Sequence, residues 1–490
     1  MNSQHKRFSC IAVDMGAGSI RVMLGVIDEG GVSFKEVHRI SNEIVEIDGH
    51  DHWEMEKIVV EIRMGISKAI DLSDNPPASI GVDSWGVDYV LLDKHGELAE
   101  TPVAYRDSRT EGMQEKWNIL MPEMETFRRT GINFYIFNTL FQLLSSRELS
   151  GMKRTSMILF LPGYINFLLS GQALNELSIS STSQLLSVNS NHWDQEILQK
   201  LNLENGLLGK VIQPGTRLGP VILPEFKNSG MENIAVCGHD TACVVAAIPV
   251  QNPNYAFISA GTWCLLGVES DRPILSEEAF SLGLTNERGY NNSYRVLKNI
   301  VGLWLLQGLK KHLSEDITYS MMEEMTRQGG PVAQVIDPDD PGFYNPKDMK
   351  EAFDRYFVKT GQPRPENFSA YLVCAYDSLC FSFRYHIEKL ETLWGRSIEV
   401  LHVVGGGSQS DYLNQRIATI CGRKVISGPV EGATLGNILI QAISMGKINS
   451  IEEGRELVRR SYPGKAFHPE KESDRANMRY EQFLRLIGPN

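Results

Sequence analysis

Two stretches far apart in this chain are written on one plan. Near the N-terminus an apolar run, residues 9–13, leads into DMGAGSIR (residues 14–21), and a second apolar run follows at 22–27. Beyond the middle, residues 256–259 lead into Ala260, Gly261 and Thr262, then into the run 263–268. Each reads as strand, glycine turn, strand, the second with the shorter turn. A hairpin repeated at the head of two halves is the mark of a duplicated fold. Length agrees, because 490 residues exceed what one hydrophobic core holds. The dipeptides at 251–254 read as a boundary, which sets the expected domains at residues 1–248 and 249–490.

Around the first hairpin the pattern continues as a strand over 31–42, an amphipathic helix over 55–72 and a strand over 79–82. A second hairpin is expected from 89–93, a turn at 94–96, and 97–98. Three meandering strands, a helix and another strand form the opening order of an α/β ribonuclease-H-like or actin-like fold. Residues 109–223 carry more helical periodicity, and a strand over 234–238 runs into a helix over 239–247. The second half closes with an amphipathic helix over 377–393, a strand over 399–404, Gly405 to Gly407 opening a helix, a strand over 424–427 and a small-residue helix over 432–445. A last helix is expected over 475–486.

A net charge of −12 argues against nucleic acid or an anionic membrane surface as a partner. The first apolar run stops at Asp14, too short for a secretory signal, and the best longer candidate, 157–169, is broken by Pro162, Gly163 and Asn166. Seven scattered cysteines without a paired spacing fit reduced thiols in a cytoplasmic enzyme.

Gly16 and Gly18 let backbone N–H groups approach an anion, Ser19 adds a hydroxyl and Arg21 a fixed cation. Asp14, at a strand end, suits an outer ligand of a nucleotide's Mg²⁺. The glycine spacing lacks the third glycine of a dinucleotide fingerprint and precedes a strand, and no Walker A loop occurs. Asp240 sits where a strand meets a helix, as an N-cap or as a general base. Asp83 to Asp88, with Trp85, and Arg106 to Arg109 offer the polar and aromatic mixture that binds sugars, or else surface loops. His50, Asp51, His52 and Glu54 look metal-like, but Glu54 and Glu56 read more simply as the acidic start of a helix. Gly329 and Gly330 read as a helix stop.

The segments DMGAGSIR, GVDSWGVDYVLLD, AYRDSRT, GHDTA, SAGTW, RVLKNIVGLWLLQ, LHVVGGGSQ and GPVEGATLGNI together resemble the FGGY sugar kinases, and within them the rhamnulokinase branch, from about residue 9 to 446. The resemblance implies a two-domain actin-like ATPase fold with a central cleft that closes on substrate, an N-terminal sugar domain and a C-terminal nucleotide domain. It implies transfer of the γ-phosphoryl of Mg·ATP to the C1 hydroxyl of L-rhamnulose, in L-rhamnose catabolism. By the same resemblance Asp240 is the catalytic base, and Gly86, His239, Asp240, Thr241 and Asn299 contact the sugar. Ala17, Gly18, Ser19, Ile20 and Arg21 fall on the first phosphate loop, Thr262 on the second, and Gln307 and Gly406 on further ATP contacts. Ile20 departs from the small residues usual there. A β-branched side chain resists positive φ, which leaves Gly18 or Ser19 as alternative donors. Asn299 could equally cap a following helix. The rivals are a kinase for L-fuculose or xylulose, and an actin-like ATPase with no sugar substrate.

Overall fold

Period-2 runs broken by glycine turns, and period-3.6 runs between them, resolve into two units in the computed structural model, which describes residues 7–146, 150–204, 206–330, 332–471 and 474–488. The first unit comprises Met1–Pro249, Glu269–Val296 and Glu431–Ser461; the second comprises Val250–Val268, Leu297–Val430 and Tyr462–Asn490. Two late segments of the chain therefore belong to the first unit.

In the first unit, β1 (Phe8–Met15) is buried along its whole length. It pairs antiparallel with β2 (Ser19–Asp28), which pairs with β3 (Gly31–Ser41). On its other side β1 runs parallel to β4 (Ser79–Ser84). Strands Glu232–Ala235 and Thr216–Pro220 complete the six-stranded sheet. Helix α1 (Met55–Leu72) buries Ile58, Ile62, Ile66 and Ala69, a stripe at helical spacing, against Ile11, Val13 and Val22. Its Gly65 lets the helix approach, since a Cβ there would stand 2.5 Å from Val22.

Side chains alternate along a strand, so Cys10, Ala12 and Asp14 face away from α1. That face is closed by α3 (Gly432–Ser444), whose Ile438 packs on Gly25, where a Cβ would also stand 3.2 Å from Cys10 Sγ. Helix α2 (Asp240–Ala247) lies against α3, and a Cβ on Gly436 would sit 1.9 Å from the carbonyl oxygen of Cys243. Polar side chains fix α3 in place as well. Asn437 donates to Asp83 Oδ2 at 2.6 Å, and Gln441 donates to the Ile11 carbonyl at 3.0 Å while accepting from Ser79 Oγ at 2.7 Å.

In the second unit β5 (Tyr255–Ala260) pairs antiparallel with β6 (Trp263–Ser270) and parallel with Val400–Val404. The strands Lys424–Ser427 and Lys465–Phe467 extend the sheet on that side, and Tyr294–Val301 lies beyond β6.

Several expectations shift. The strand Tyr89–Leu92 pairs with Met157–Phe160, whose apolar residues cover it, and 97–98 keep one bridge, Leu92 to Leu98. Asp93 closes that turn by accepting from the backbone N–H of His95 and of Glu97. The helix expected from 377 begins at Phe368, capped by Asn367; its first turns are buried nearly all round, so they show no amphipathic stripe. A short hairpin, Ile44–Ile47 with His50–Trp53, went unread. Its His50 and Asp107 pair at 3.1 Å, and no group of three metal-ligating side chains occurs among the described residues. All seven cysteines are unpaired and buried. No helix among the described residues is long and apolar enough to cross a membrane.

Candidate active site

Register places three charged residues side by side in the first unit. Asp14 on β1 stands opposite Arg21 on β2 and opposite Asp83 on β4. Arg21 Nη2 donates to Asp14 Oδ2 at 2.6 Å, and its Nη1 reaches the Glu431 carboxylate at the start of α3. Both arms of its guanidinium are thus committed to carboxylates. Asp83 is wholly buried, and its Oδ1 has no hydrogen-bond partner among the described residues. Burial lifts Asp14 to about 6 against the pull of Arg21, with Asp240 and Glu431 adding to the rise. Burial, then Asp14, pushes Asp83 well above the usual carboxylate range, although Asn437 opposes it.

The turn beside this row is closed by the Gly16 N–H donating to the Ser19 carbonyl at 2.9 Å. A Cβ on Gly16 would press on that oxygen at 2.9 Å, whereas one on Gly18 would meet nothing within 4 Å. Ile20 lies in β2 with its side chain buried, and it is not among the residues with positive φ. Its β-branch is therefore accommodated as strand.

Asp240 is the first residue of α2, and His239 occupies the cap position. The Asp240 carboxylate does not cap the helix by bonding ahead to its third residue. Oδ1 instead accepts from the neighbouring Thr241, from its N–H and from Oγ1 at 3.0 Å, while Oδ2 has no hydrogen-bond partner among the described residues. The side chain is 31% exposed. A carboxylate at a helix N-terminus, pinned through one oxygen and free at the other, is arranged to accept a proton.

His239 is buried beside it, with Nε2 3.4 Å from Asp240 Oδ1. Gly86 follows β4, and a Cβ there would lie 3.4 Å from His239 Nε2 and 3.3 Å from Thr182 Oγ1, which in turn accepts from the Val87 N–H. Val87 holds φ 67°, a strained conformation for a β-branched residue, kept by Thr139 and Gln142 donating to its carbonyl. Asp88 is a packing group: its Oδ2 accepts from the indole N–H of Trp53 at 2.6 Å and of Trp85 at 2.8 Å. Burial raises it to about 6 against those two bonds. The structure thus gathers Asp14, Ala17 to Arg21, Gly86, His239, Asp240 and Thr241 in the first unit.

Thr262, Asn299, Gln307 and Gly406 belong to the second. Its hairpin turn repeats the first, with the Gly261 N–H donating to the Trp263 carbonyl at 3.1 Å. Thr262 Oγ1 lies 3.4 Å from Gln307 Oε1, and the Thr262 carbonyl accepts from the N–H of Gly302, where a Cβ would meet the Cys264 nitrogen at 2.7 Å. Asn299 lies inside the strand Tyr294–Val301, and the next helix, Trp304–Lys310, is preceded by Leu303. Capping by Asn299 is therefore ruled out. The apolar run 300–306 had looked continuous because strand and helix are both buried there. Gly406 opens a 3-10 turn, Gly406–Gln409, and the helix proper, Asp411–Cys421, starts after Ser410.

Sequence reading missed Glu287 and Arg295, which the fold brings to His239. The signal available was charged residues inside strands, Glu287 and Arg288 in Leu284–Arg288, which is buried throughout, and Arg295 in Tyr294–Val301.

Comparison with known proteins places these features in a family. Residues 9–248 match the FGGY family of carbohydrate kinases, N-terminal domain, and residues 256–445 match its C-terminal domain. A rhamnulokinase of Bacteroides thetaiotaomicron is 38% identical over 464 residues, 94% of this chain and 95% of the relative. One of Bacillus subtilis is 36% identical over 471 residues, 95% and 96% respectively. Among solved structures, glycerol kinase of Plasmodium falciparum with ADP superposes with a TM-score of 0.80 at 14% identity, covering 98% of this chain and 97% of that one. Gluconate kinase of Lactobacillus acidophilus gives 0.79 at 15%, with the same coverage.

Proposed function

The chain belongs to the FGGY family of carbohydrate kinases, and on that premise we propose that it transfers the γ-phosphoryl of ATP to the C1 hydroxyl of L-rhamnulose, in the breakdown of L-rhamnose. The observation that carries the chemistry is Asp240, whose free Oδ2 sits at a helix N-terminus beside buried His239. The full-length similarity to rhamnulokinases favours L-rhamnulose over L-fuculose or xylulose, which need a differently furnished sugar pocket. A sugar-free ATPase would give no use to a carboxylate so disposed.

Under this assignment residues 1–248 carry the sugar side and residues 249–490 the nucleotide side. Gly86, His239, Thr241 and Asn299 bind the sugar. Asp240 Oδ2 accepts the C1 hydroxyl proton as the oxygen attacks, while Thr241 holds Oδ1. Backbone donors from Ala17 to Ile20, with Arg21, Thr262 and Gln307, serve the phosphates, and Gly406 lies against the nucleotide. Mg²⁺ fits the orphaned Asp83 Oδ1 and neighbouring Asp14, since the Arg21 guanidinium is shared among Asp14, Glu431 and Asp83 and leaves this row of carboxylates net negative. Bound with ATP through water, it would neutralise charge on the transferring group. The unpaired thiols suit a cytoplasmic setting.

Two measurements test the assignment. Across a panel of ketoses, ATP-dependent sugar phosphate should form fastest with L-rhamnulose, and another preferred ketose would reassign the substrate. Asp240→Asn keeps the Oδ1 contacts and should lower kcat by roughly 10²–10⁴ with the melting temperature unchanged. Near-normal turnover would remove Asp240 as the base.

A further inference from the structure

The imidazole of His239 is gripped from behind by a pair that neither sequence motif announces. Its Nδ1 lies 3.0 Å from Arg295 Nη2, in hydrogen-bonding geometry. Glu287 Oε2 is 3.1 Å from the same nitrogen, yet that oxygen makes no hydrogen bond of proper geometry among the described residues. It instead stands 2.8 Å from Arg295 Nη2 as an ion pair. Arg295 is wholly buried and also donates through Nε to the Arg288 carbonyl at 3.2 Å. Burial would raise the Glu287 carboxyl, but the Arg295 guanidinium beside it outweighs that and holds it near 2, so it stays ionised.

A guanidinium only donates and does not lose its proton. Its bond to Nδ1 therefore needs the lone pair there, which leaves the imidazole proton on Nε2. Nε2 is the nitrogen that faces Asp240 at 3.4 Å and the space beside Gly86. The ring's backbone is fixed independently. The His239 N–H donates to Ser178 Oγ at 3.1 Å, and Glu176 accepts from the Gly238 N–H at 2.7 Å.

We infer that Arg295, held by Glu287, is a positioning residue that fixes His239 as the Nε2–H tautomer, so that this nitrogen presents a donor to a sugar hydroxyl beside Asp240. The groups facing the ring are Asp240 from its own helix, Glu287 and Arg295 from the strands, and Thr182 across Gly86. This placement rests on the sugar-side role proposed for His239, but the tautomer itself does not.

Two readouts separate these levels. In the ligand-free protein labelled with ¹⁵N-histidine, and assigned with His239→Gln, the wild type should carry its proton on Nε2. In Arg295→Met the ionised Glu287 is left alone with Nδ1 and should draw a proton there. Sugar kcat/KM should then fall about tenfold or more, mainly through KM, with ATP affinity unchanged. Adding Glu287→Gln to Arg295→Met puts an amide donor at Nδ1 and should restore much of the loss. Glu287→Gln alone, which loosens Arg295 without removing it, should lose less kcat/KM than Arg295→Met. A wild-type proton on Nδ1, a loss in Glu287→Gln as large as in Arg295→Met, or no rescue in the double variant would each overturn the inference. If Arg295→Met does not fold, the wild-type spectrum and Glu287→Gln decide it. A wild type that prefers another ketose changes only the sugar assayed.

Discussion

Three adjacent glycines of the second unit should answer one substitution in three different ways. Gly405 holds φ 76° and ψ −166°, a region open in practice only to glycine, so Gly405→Ala should cost about 1–3 kcal/mol in backbone strain. Its new methyl would also stand 3.3 Å from the Ala260 carbonyl oxygen. Gly407→Ala places a methyl 2.5 Å from the Ala260 Cβ and 3.3 Å from Leu303 Cδ1. The backbone must part by about 1 Å to clear it, an overpacking cost of about 1–3 kcal/mol. Gly406 has no positive φ, and a Cβ there meets nothing within 4 Å. Gly406→Ala should therefore be neutral to within about 0.5 kcal/mol, and Gly406→Val nearly so. Melting curves should rank Gly406→Ala beside the wild type and the other two below it. Calorimetry with ATP, then with sugar, should find Gly406→Val weak for ATP and normal for sugar. A melting temperature for Gly406→Ala as low as for Gly407→Ala would refute the steric reasoning, and equal loss of both ligands in Gly406→Val would refute the place given to the nucleotide.

Asn299→Ala should leave the melting temperature nearly unchanged, since the residue caps no helix, and should lower sugar kcat/KM by roughly 1–3 kcal/mol. Unchanged kinetics would take Asn299 out of the sugar site. Asp88 titrates near 6 in the folded chain, above its ordinary 3.8, so the folded state holds the extra proton and Asp88 costs stability as pH rises from about 4 to 6. Chemical denaturation of Asp88→Asn against wild type should show the variant gaining about 1–3 kcal/mol over that interval, and parallel profiles would count against the raised carboxyl.

Much of this was legible because it is local. The glycine turns at 16–18 and 261, the helix Met55–Leu72 and the strand Lys424–Ser427 follow from residue order alone. The family came from long motifs, and with it the candidate residues. What stayed hidden was decided by partners remote in sequence. Tyr89–Leu92 could not announce Met157–Phe160 as its neighbour, and the segment Asp83 to Asp88 read as a sugar-binding mixture or a surface loop, whereas two indole N–H groups claim Asp88. Glu287 and Arg295 were unreadable for the same reason, because nothing near 239 in sequence points to them.

Helix α3 has a consequence for the order in which the protein can be made. Asn437 and Gln441 meet the polar atoms of β1 and β4 across 354 and 430 positions of chain. A ribosome working at about 5–20 residues per second needs roughly 10–40 s to pass from Pro249 to Glu431. Throughout that interval the first unit lacks the helix that covers Cys10 and Gly25, so the face carrying Asp14 and Asp83 stays open. The N-terminal half is begun first yet completed late, and nascent chains stalled before residue 432 should be the ones that chaperones find.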